Sequence, residues 1–319
     1  MRVLLAGTPE IALPSLDAIH RSSHELVGVL TAPDRRAGRG KHLVPPPVKE
    51  RAVELGVPVL QFDTLRTEAR KAIAPLSPDI LACVAHGKIY GPKFLALFRH
   101  GAINLHPSLL PLYRGPAPVT AAILNGDDEA GVTIQRLALE VDAGNILARK
   151  SLRLDGTETT GTLTPKLGEL GAQLMVEVLN SIEAGTAEEQ EQDHSRATYT
   201  SLVRKEDGQI DWSEPAELIA RKVRAYDPWP RAFTTLGGER LSILSAVPVD
   251  SGDGTPAGSP GHGVRPGKVV RVDTAYGILV ETGNGLLALH RLQLQSRKPL
   301  DWRSFLNGVH DFVGAVLGG

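Results

Sequence analysis

In the run Ile103-Asn-Leu-His-Pro-Ser-Leu-Leu-Pro-Leu-Tyr-Arg-Gly, an asparagine and a histidine stand two residues apart. Strand side chains alternate faces, so Asn104 and His106 project to the same side, about 6.6 Å apart along the strand. Asn offers a neutral amide donor and His a donor that can also carry positive charge, so together they can hold the oxyanion of an acyl transfer. Pro107, Pro111 and Gly115 interrupt regular structure, which places the pair at a strand-to-loop junction rather than inside a core. The turn Glu140-Val-Asp-Ala-Gly-Asn adds a carboxylate, Asp142, which taken alone reads as a solvated turn residue. Beside His106 it would raise the imidazole pKa and keep the ring charged near pH 7, or relay a proton from an attacking amine to a departing nitrogen.

Other chemistries lack their residues. Ser108 has no G-x-S-x-G elbow, and Cys83 sits in the apolar run Asp79-Ile-Leu-Ala-Cys-Val-Ala, where it reads as packed core. Paired C-x-x-C spacing does not occur, and no metal is expected. Gly7-Thr-Pro-Glu could turn its amides to an anion at a helix start, but G-x-G-x-x-G is absent, which counts against a nicotinamide dehydrogenase. Lys plus Arg is 35 against 36 for Asp plus Glu, so a chain that coats nucleic acid nonspecifically is excluded, while a local basic patch is not. Aromatic residues make up 4 %, too few for broad base-stacking platforms. No apolar stretch approaches the roughly 20 residues of a membrane span, and Met1-Arg-Val-Leu-Leu-Ala-Gly reads as a strand, so a cytoplasmic location is expected.

The elements that must position these residues follow from periodicity. Strands are predicted at Arg2 to Ala6, Glu25 to Thr31, Pro58 to Phe62, Asp79 to His86, Ala102 to His106 and Val132 to Leu137. Helical patterns between them, Ile11 to Arg21, Val48 to Leu55, Pro92 to Arg99 and Pro118 to Leu124, give βαβ units on a Rossmann-like, doubly wound, mainly parallel α/β sheet. Ligands then belong at the carboxyl edge, in the loops after Ala6, Thr31, His86, His106 and Leu137. A helix from Thr160 to Glu183 closes this part, and Thr186 to Arg196, rich in Glu and Gln, reads as a solvated linker. After a helix at Ala216 to Ala225 come five short strands, Arg231 to Thr235, Arg240 to Leu244, Gly267 to Val272, Gly277 to Thr282 and Gly285 to Leu292, the pattern of a C-terminal OB-like β-barrel. Asp250 to Pro266 is expected as a surface loop. The domains are therefore set at 1–185 and 206–319, with a linker at 186–205.

Asn104, His106, Ser108-Leu-Leu-Pro, Arg114-Gly and Asp142-Ala-Gly resemble the N-x-H-x-S-L-L-P-x-x-[RK]-G and D-x-G signatures of the folate-dependent formyltransferases. Ala6-Gly-Thr-Pro-Glu, Gly131-Val-Thr-Ile, Thr198-Tyr-Thr to Ile210-Asp-Trp and Arg224-Ala-Tyr-Asp-Pro-Trp-Pro extend the likeness almost end to end. The resemblance implies a catalytic set of Asn104, His106 and Asp142, with 10-formyltetrahydrofolate as formyl donor. It places the folate against the loop of Ala85, His86, Gly87, Lys88, Ile89 and Tyr90 and the turn around Asp142, with Ser108, Leu109, Leu110 and Pro111.

A second segment narrows the acceptor. Ala32 to Lys49 carries five cationic side chains against one Asp, and its glycines and prolines preclude a regular helix. Such a basic loop suits insertion along an RNA backbone, because phosphate contacts position a substrate. It resembles the P-D-R-x-x-G-R-G-K-x-L-x-P-x-P-V-K loop of the family members that act on methionyl-tRNA. That likeness implies an initiator methionyl-tRNA partner, contacted by Arg35, Arg36, Arg39, Lys41, His42, Lys49 and Arg114, and an enzyme that works as a monomer. Residues 206–319 carry a net charge of −1, leaving Arg297-Lys298 and Arg221, Lys222 and Arg224 as their candidate cationic clusters. The competing readings are a formyltransferase or hydrolase acting on a small molecule with the same three residues, and a noncatalytic RNA-binding protein.

Overall fold

The computed structural model describes residues 1–37, 42–249, 265–309 and 311–318. Strands β1 (Arg2–Gly7), β2 (Glu25–Thr31), β3 (Arg35–Ala37), β4 (His42–Val44), β5 (Val59–Gln61), β6 (Ile80–Val84), β7 (Ala102–His106), β8 (Glu129–Arg136) and β9 (Ile146–Arg153) occupy the first half. Among them run helices α1 (Leu13–Arg21), α2 (Pro47–Glu54), α3 (Thr67–Ile73), α4 (Pro92–Leu95) and α5 (Pro118–Asn125), and α6 (Thr160–Ala184) follows. Seven of the strands form one sheet in the order β5-β2-β1-β6-β7-β8-β9. Pairing is parallel from β5 to β7 and antiparallel from β7 through β8 to β9.

All six strands expected in this half are present. The sequence reading missed β9, whose Arg149, Lys150 and Arg153 mask the alternation of an edge strand, and α3, which buries only Ala69 and Ile73. It also missed a hairpin within the basic segment: Arg35, Arg36 and Ala37 pair antiparallel with Val44, Leu43 and His42.

Two cores hold the sheet. On the face that carries Cys83, residues Leu4, Leu30, Leu81, Ile73, Phe94 and Phe98 cluster under α3 and α4. Leu105, on the other face, lies against α6 so closely that a Cβ on Gly171 would come within 2.3 Å of it. Small residues let the helix approach the strand that bears the Asn and His.

The chain forms two compact units: 1–118, 129–153 and 162–201 belong to the first, and 119–128, 154–161 and 202–319 to the second. Residues 186–201, expected as linker, therefore pack with the first unit. The second contains α7 (Ala216–Ala225), β10 (Phe233–Leu236), β11 (Glu239–Val249), β12 (Val269–Asp273), β13 (Gly277–Glu281), β14 (Leu286–Leu294), β15 (Leu300–Asp301) and α8 (Trp302–Gly308). Its strands make an antiparallel sheet, β10-β11-β14-β13-β12, with β15 added on β14, around a core that includes Trp212, Val223, Leu241, Val280 and Phe305. The loop expected at 250–266 lies outside the described residues except for its last two. No described helix is long and apolar enough to cross a membrane.

Candidate active site

Strand β7 leaves Asn104 part-exposed and buries its other residues, and parallel pairing sets Asn104 beside Cys83 of β6. On the other side Asn104 pairs with Gln135 and His106 with Thr133 of β8. Directly opposed residues share a face, so Asn104, His106, Thr133 and Gln135 point the same way. Asn104 and His106 open on a cavity of about 380 Å³ that is also lined by Asp142, the 83–90 and 137–142 segments, and Ile11, Leu105, Pro107, Gly115, Pro116 and Pro118.

Asp142 reaches this cavity by another route than expected. Because β8 is antiparallel, its end pairs with the start of β7, and Leu137 N donates to Ala102 O at 2.9 Å. The 137–145 loop therefore starts at the amino end of β7 rather than at the carboxyl edge. It folds back over the sheet face to bring Asp142 Oδ2 within 3.5 Å of His106 Nδ1. Gly144 makes this fold possible, since a Cβ there would lie 1.9 Å from the Arg136 carbonyl oxygen.

The Asp142 carboxylate is held from two sides. Its Oδ1 accepts from Gln135 Nε2 and its Oδ2 from Gly115 N, each at 2.9 Å. His106 Nε2 donates to the Tyr113 carbonyl at 2.8 Å, which fixes the tautomer and leaves Nδ1 toward Asp142. The expectation of a charged His106 is corrected here. Burial lowers its pKa, outweighing the upward pull of the Asp142 carboxylate and the Tyr113 carbonyl, so the resting ring is neutral. A neutral Nδ1 beside a carboxylate can accept a proton, and the charge it gains is then paired at once.

The loop after β6 forms one wall. Its first residues take left-handed backbone, Ala85 at φ +49° and Gly87 at +71°, and Gly87 presents bare backbone to the cavity. The Tyr90 hydroxyl shares hydrogen bonds with His86 Nδ1 at 2.6 Å and Cys83 Sγ at 3.4 Å. Burial pushes His86 down to about 4 and the Cys83 thiol up to about 11, so both are neutral and Cys83 is no nucleophile. Ile89, Leu139 and Val141 line the cavity while 93 %, 83 % and 64 % exposed. Large apolar groups left open to water at a cavity mouth fit a flat apolar ligand that would cover them. Of these, Leu139 escaped the sequence reading, as did Gln135; only their position near Asp142 marked them.

Other predicted site residues lie elsewhere. Ser108, Leu109, Leu110 and Pro111 do not line the cavity: Ser108 Oγ donates to Leu112 O, and Thr133 Oγ1 donates to Ser108 O and accepts from Leu110 N. They stitch the exit of β7 to β8. Arg114, expected at an RNA backbone, is 1 % exposed and hydrogen-bonded to Gln192, His194 and Tyr199. Lys49 is bound to both oxygens of Asp34, at 2.8 and 2.7 Å, and Gln61 donates to Asp34 at 2.8 Å. The Gln61 amide and the Lys49 ammonium hold the Asp34 carboxyl below its usual range. Arg35, Arg36 and His42 are exposed on the hairpin, and Arg39 and Lys41 lie outside the described residues.

In the second unit, Lys222 pairs with Glu214, and Arg221 and Arg224 donate to the carbonyls of Asn125 and Glu158. Those cations hold the fold together, whereas Arg297 and Lys298 are exposed.

Residues 1–179 match the formyl transferase family model, and residues 202–310 match that of the formyl transferase C-terminal domain. The chain is 42 % identical over 321 residues to the methionyl-tRNA formyltransferase of Treponema denticola, covering 98 % of each chain. It is 45 % identical over 325 residues to that of Roseiflexus castenholzii, covering 100 % of this chain and 99 % of the relative. An N-formyltransferase from Helicobacter canadensis, solved with folinic acid and dTDP-3-aminofucose, gives a TM-score of 0.66 over 91 % of this chain and 99 % of that one at 18 % identity. The methionyl-tRNA formyltransferase from Clostridium thermocellum gives 0.54 over 79 % and 95 % at 16 % identity. These two structural likenesses are of fold.

Proposed function

Because the chain belongs to the formyl transferase family, we infer that it transfers the formyl group of 10-formyltetrahydrofolate to the α-amino group of methionine esterified to initiator tRNA. The observation that carries this reading is the meeting of Asn104, His106 and Asp142 in one cavity with an apolar mouth. Such a mouth would hold the folate between the 85–90 and 137–141 segments. When bound, the folate supplies the formyl carbon as electrophile.

The residues then have distinct tasks. Asn104 donates its amide N–H to the oxygen that turns anionic as the amine nitrogen bonds to the formyl carbon. His106 Nδ1 takes the proton that this nitrogen sheds, and Asp142 stabilises the imidazolium so formed. The same proton passes from His106 to the departing folate nitrogen as the carbon–nitrogen bond breaks and the carbonyl re-forms. The products are an N-formyl amine and a folate with an N–H where the formyl group was. No covalent enzyme intermediate is needed. In this reading Arg35, Arg36, Arg39 and Lys41 present charge to the tRNA backbone, and the enzyme acts as a cytoplasmic monomer.

The test is formylation of initiator and elongator methionyl-tRNA side by side, with and without 10-formyltetrahydrofolate. Folate-dependent product on the initiator is expected. Hydrolysis of the folate, or formylation of small amines with no product on tRNA, overturns the reading.

A further inference from the structure

We propose that Gln192, backed by Arg114, is a positioning residue that sets the direction of the Asp142 carboxylate. The proposal rests on the reading of Asp142 given above. Gln192, Arg114 and Gln135 are 3 %, 1 % and 2 % exposed, and they form one hydrogen-bonded chain that ends on Asp142.

The Gln192 amide can stand only one way round. Its Oε1 accepts from Arg114 Nε at 3.2 Å and Nη2 at 2.8 Å. Its Nε2 donates to the carbonyls of Asp142 at 2.9 Å and Gly144 at 2.7 Å, and lies 3.3 Å from Gln135 Oε1. A guanidinium has only donors and a carbonyl only accepts, so flipping the amide would break every one of these bonds. The amide thereby holds both ends of the turn it caps.

That turn needs holding. Asp142 has φ +51°, a conformation that non-glycine residues enter at a cost and keep only when the surroundings over-determine it. Gln192 binds the backbone of this residue while Gln135 binds its side chain. The two glutamines therefore fix Oδ2 relative to His106 Nδ1, where a displacement of about 1 Å is enough to cost orders of magnitude in rate. Arg114 is itself held by His194 Nδ1 at 3.0 Å and Tyr199 OH at 3.1 Å, with Glu140 Oε1 3.9 Å from its Nη1.

Gln192→Glu tests this, because it keeps an oxygen toward Arg114 and removes the donor to the two carbonyls. It is compared with Asp142→Asn and with the double variant in tRNA formylation and thermal melting. Gln192→Glu is expected to lower kcat roughly 10- to 100-fold, to leave both KM values within about twofold, and to move the acid limb of the kcat profile. Added to Asp142→Asn it should cost no more than about a further twofold, since a residue acting through Asp142 has nothing left to act on. A loss that adds in full, or wild-type kcat and pH profile in Gln192→Glu beside an impaired Asp142→Asn, overturns the proposal. If Gln192→Glu melts early, Gln192→Asn is judged by the same criteria. A fully active Asp142→Asn instead overturns the reading of the site beneath it.

Discussion

The turn at Asp142 and the hairpin at Arg36 belong to the same unit and are built in opposite ways. The turn is tied at its carbonyls by Gln192, at its carboxylate by Gln135 and Gly115, and at its glycine by contact with the Arg136 backbone. Among the described residues the hairpin's ladder bonds run between its own two strands, with Arg35, Arg36 and His42 exposed, and Asp34, Lys49 and Gln61 clamp its base. Moving a proton demands atoms fixed within fractions of an ångström. Meeting phosphates demands only that charge be presented at the right end of a substrate.

Removing the groups that do the chemistry should separate the two regions most sharply. Asn104→Ala and His106→Ala are each expected to lower kcat by about two to four orders of magnitude in formyl transfer to methionyl-tRNA. Either variant turning over near the wild-type rate removes that residue from the reacting centre.

The cavity wall should also impose a pH dependence through His86. His86 is held down to about 4 from 6.5 by burial, reinforced by the charge of Lys88, and this corresponds to about 3 kcal/mol. A histidine with its folded pKa below its unfolded one contributes stability that is present above pH 6.5 and lost as pH falls toward 4. Urea midpoints measured across that window should drop in the wild type and drop less in His86→Asn. Parallel curves for the two proteins would contradict the assignment.

Lys49 distinguishes an anchor from a phosphate contact. Lys49→Ala should raise KM for methionyl-tRNA about three- to tenfold, the scale of one anchoring contact, with kcat kept. Asp34→Asn should raise it too, because the clamp is lost from the other side. If Asp34→Asn lowers KM, Lys49 meets phosphate directly and the clamp is not what orients the hairpin.

Arg36→Ala should have the smallest effect. It is expected to reduce the slope of log kcat/KM against log salt by about one and to leave kcat alone. An unchanged slope takes Arg36 off the tRNA path.

Strand periodicity made Asn104 and His106 legible, because two residues on one strand face need no tertiary information. Asp142 was legible as a partner for His106 but not by its path, since nothing in Val132 to Leu137 marks a strand as antiparallel. The charge of His106 was misread because burial is a property of the assembled site. Gln192 and Arg114 failed for the same reason. A polar run and a guanidinium read as surface until a buried set of carbonyls shows what consumes their hydrogen bonds.

The clamp of Asp34, Lys49 and Gln61 also bears on how such an enzyme diversifies. It closes the hairpin off from the sheet at two residues fifteen positions apart, and the described hairpin residues, 35–37 and 42–44, include none that lines the cavity. The hairpin is a cassette. A lineage that kept Asp34 and Lys49 could replace the hairpin residues between them and acquire a new acceptor, inheriting its formyl chemistry intact.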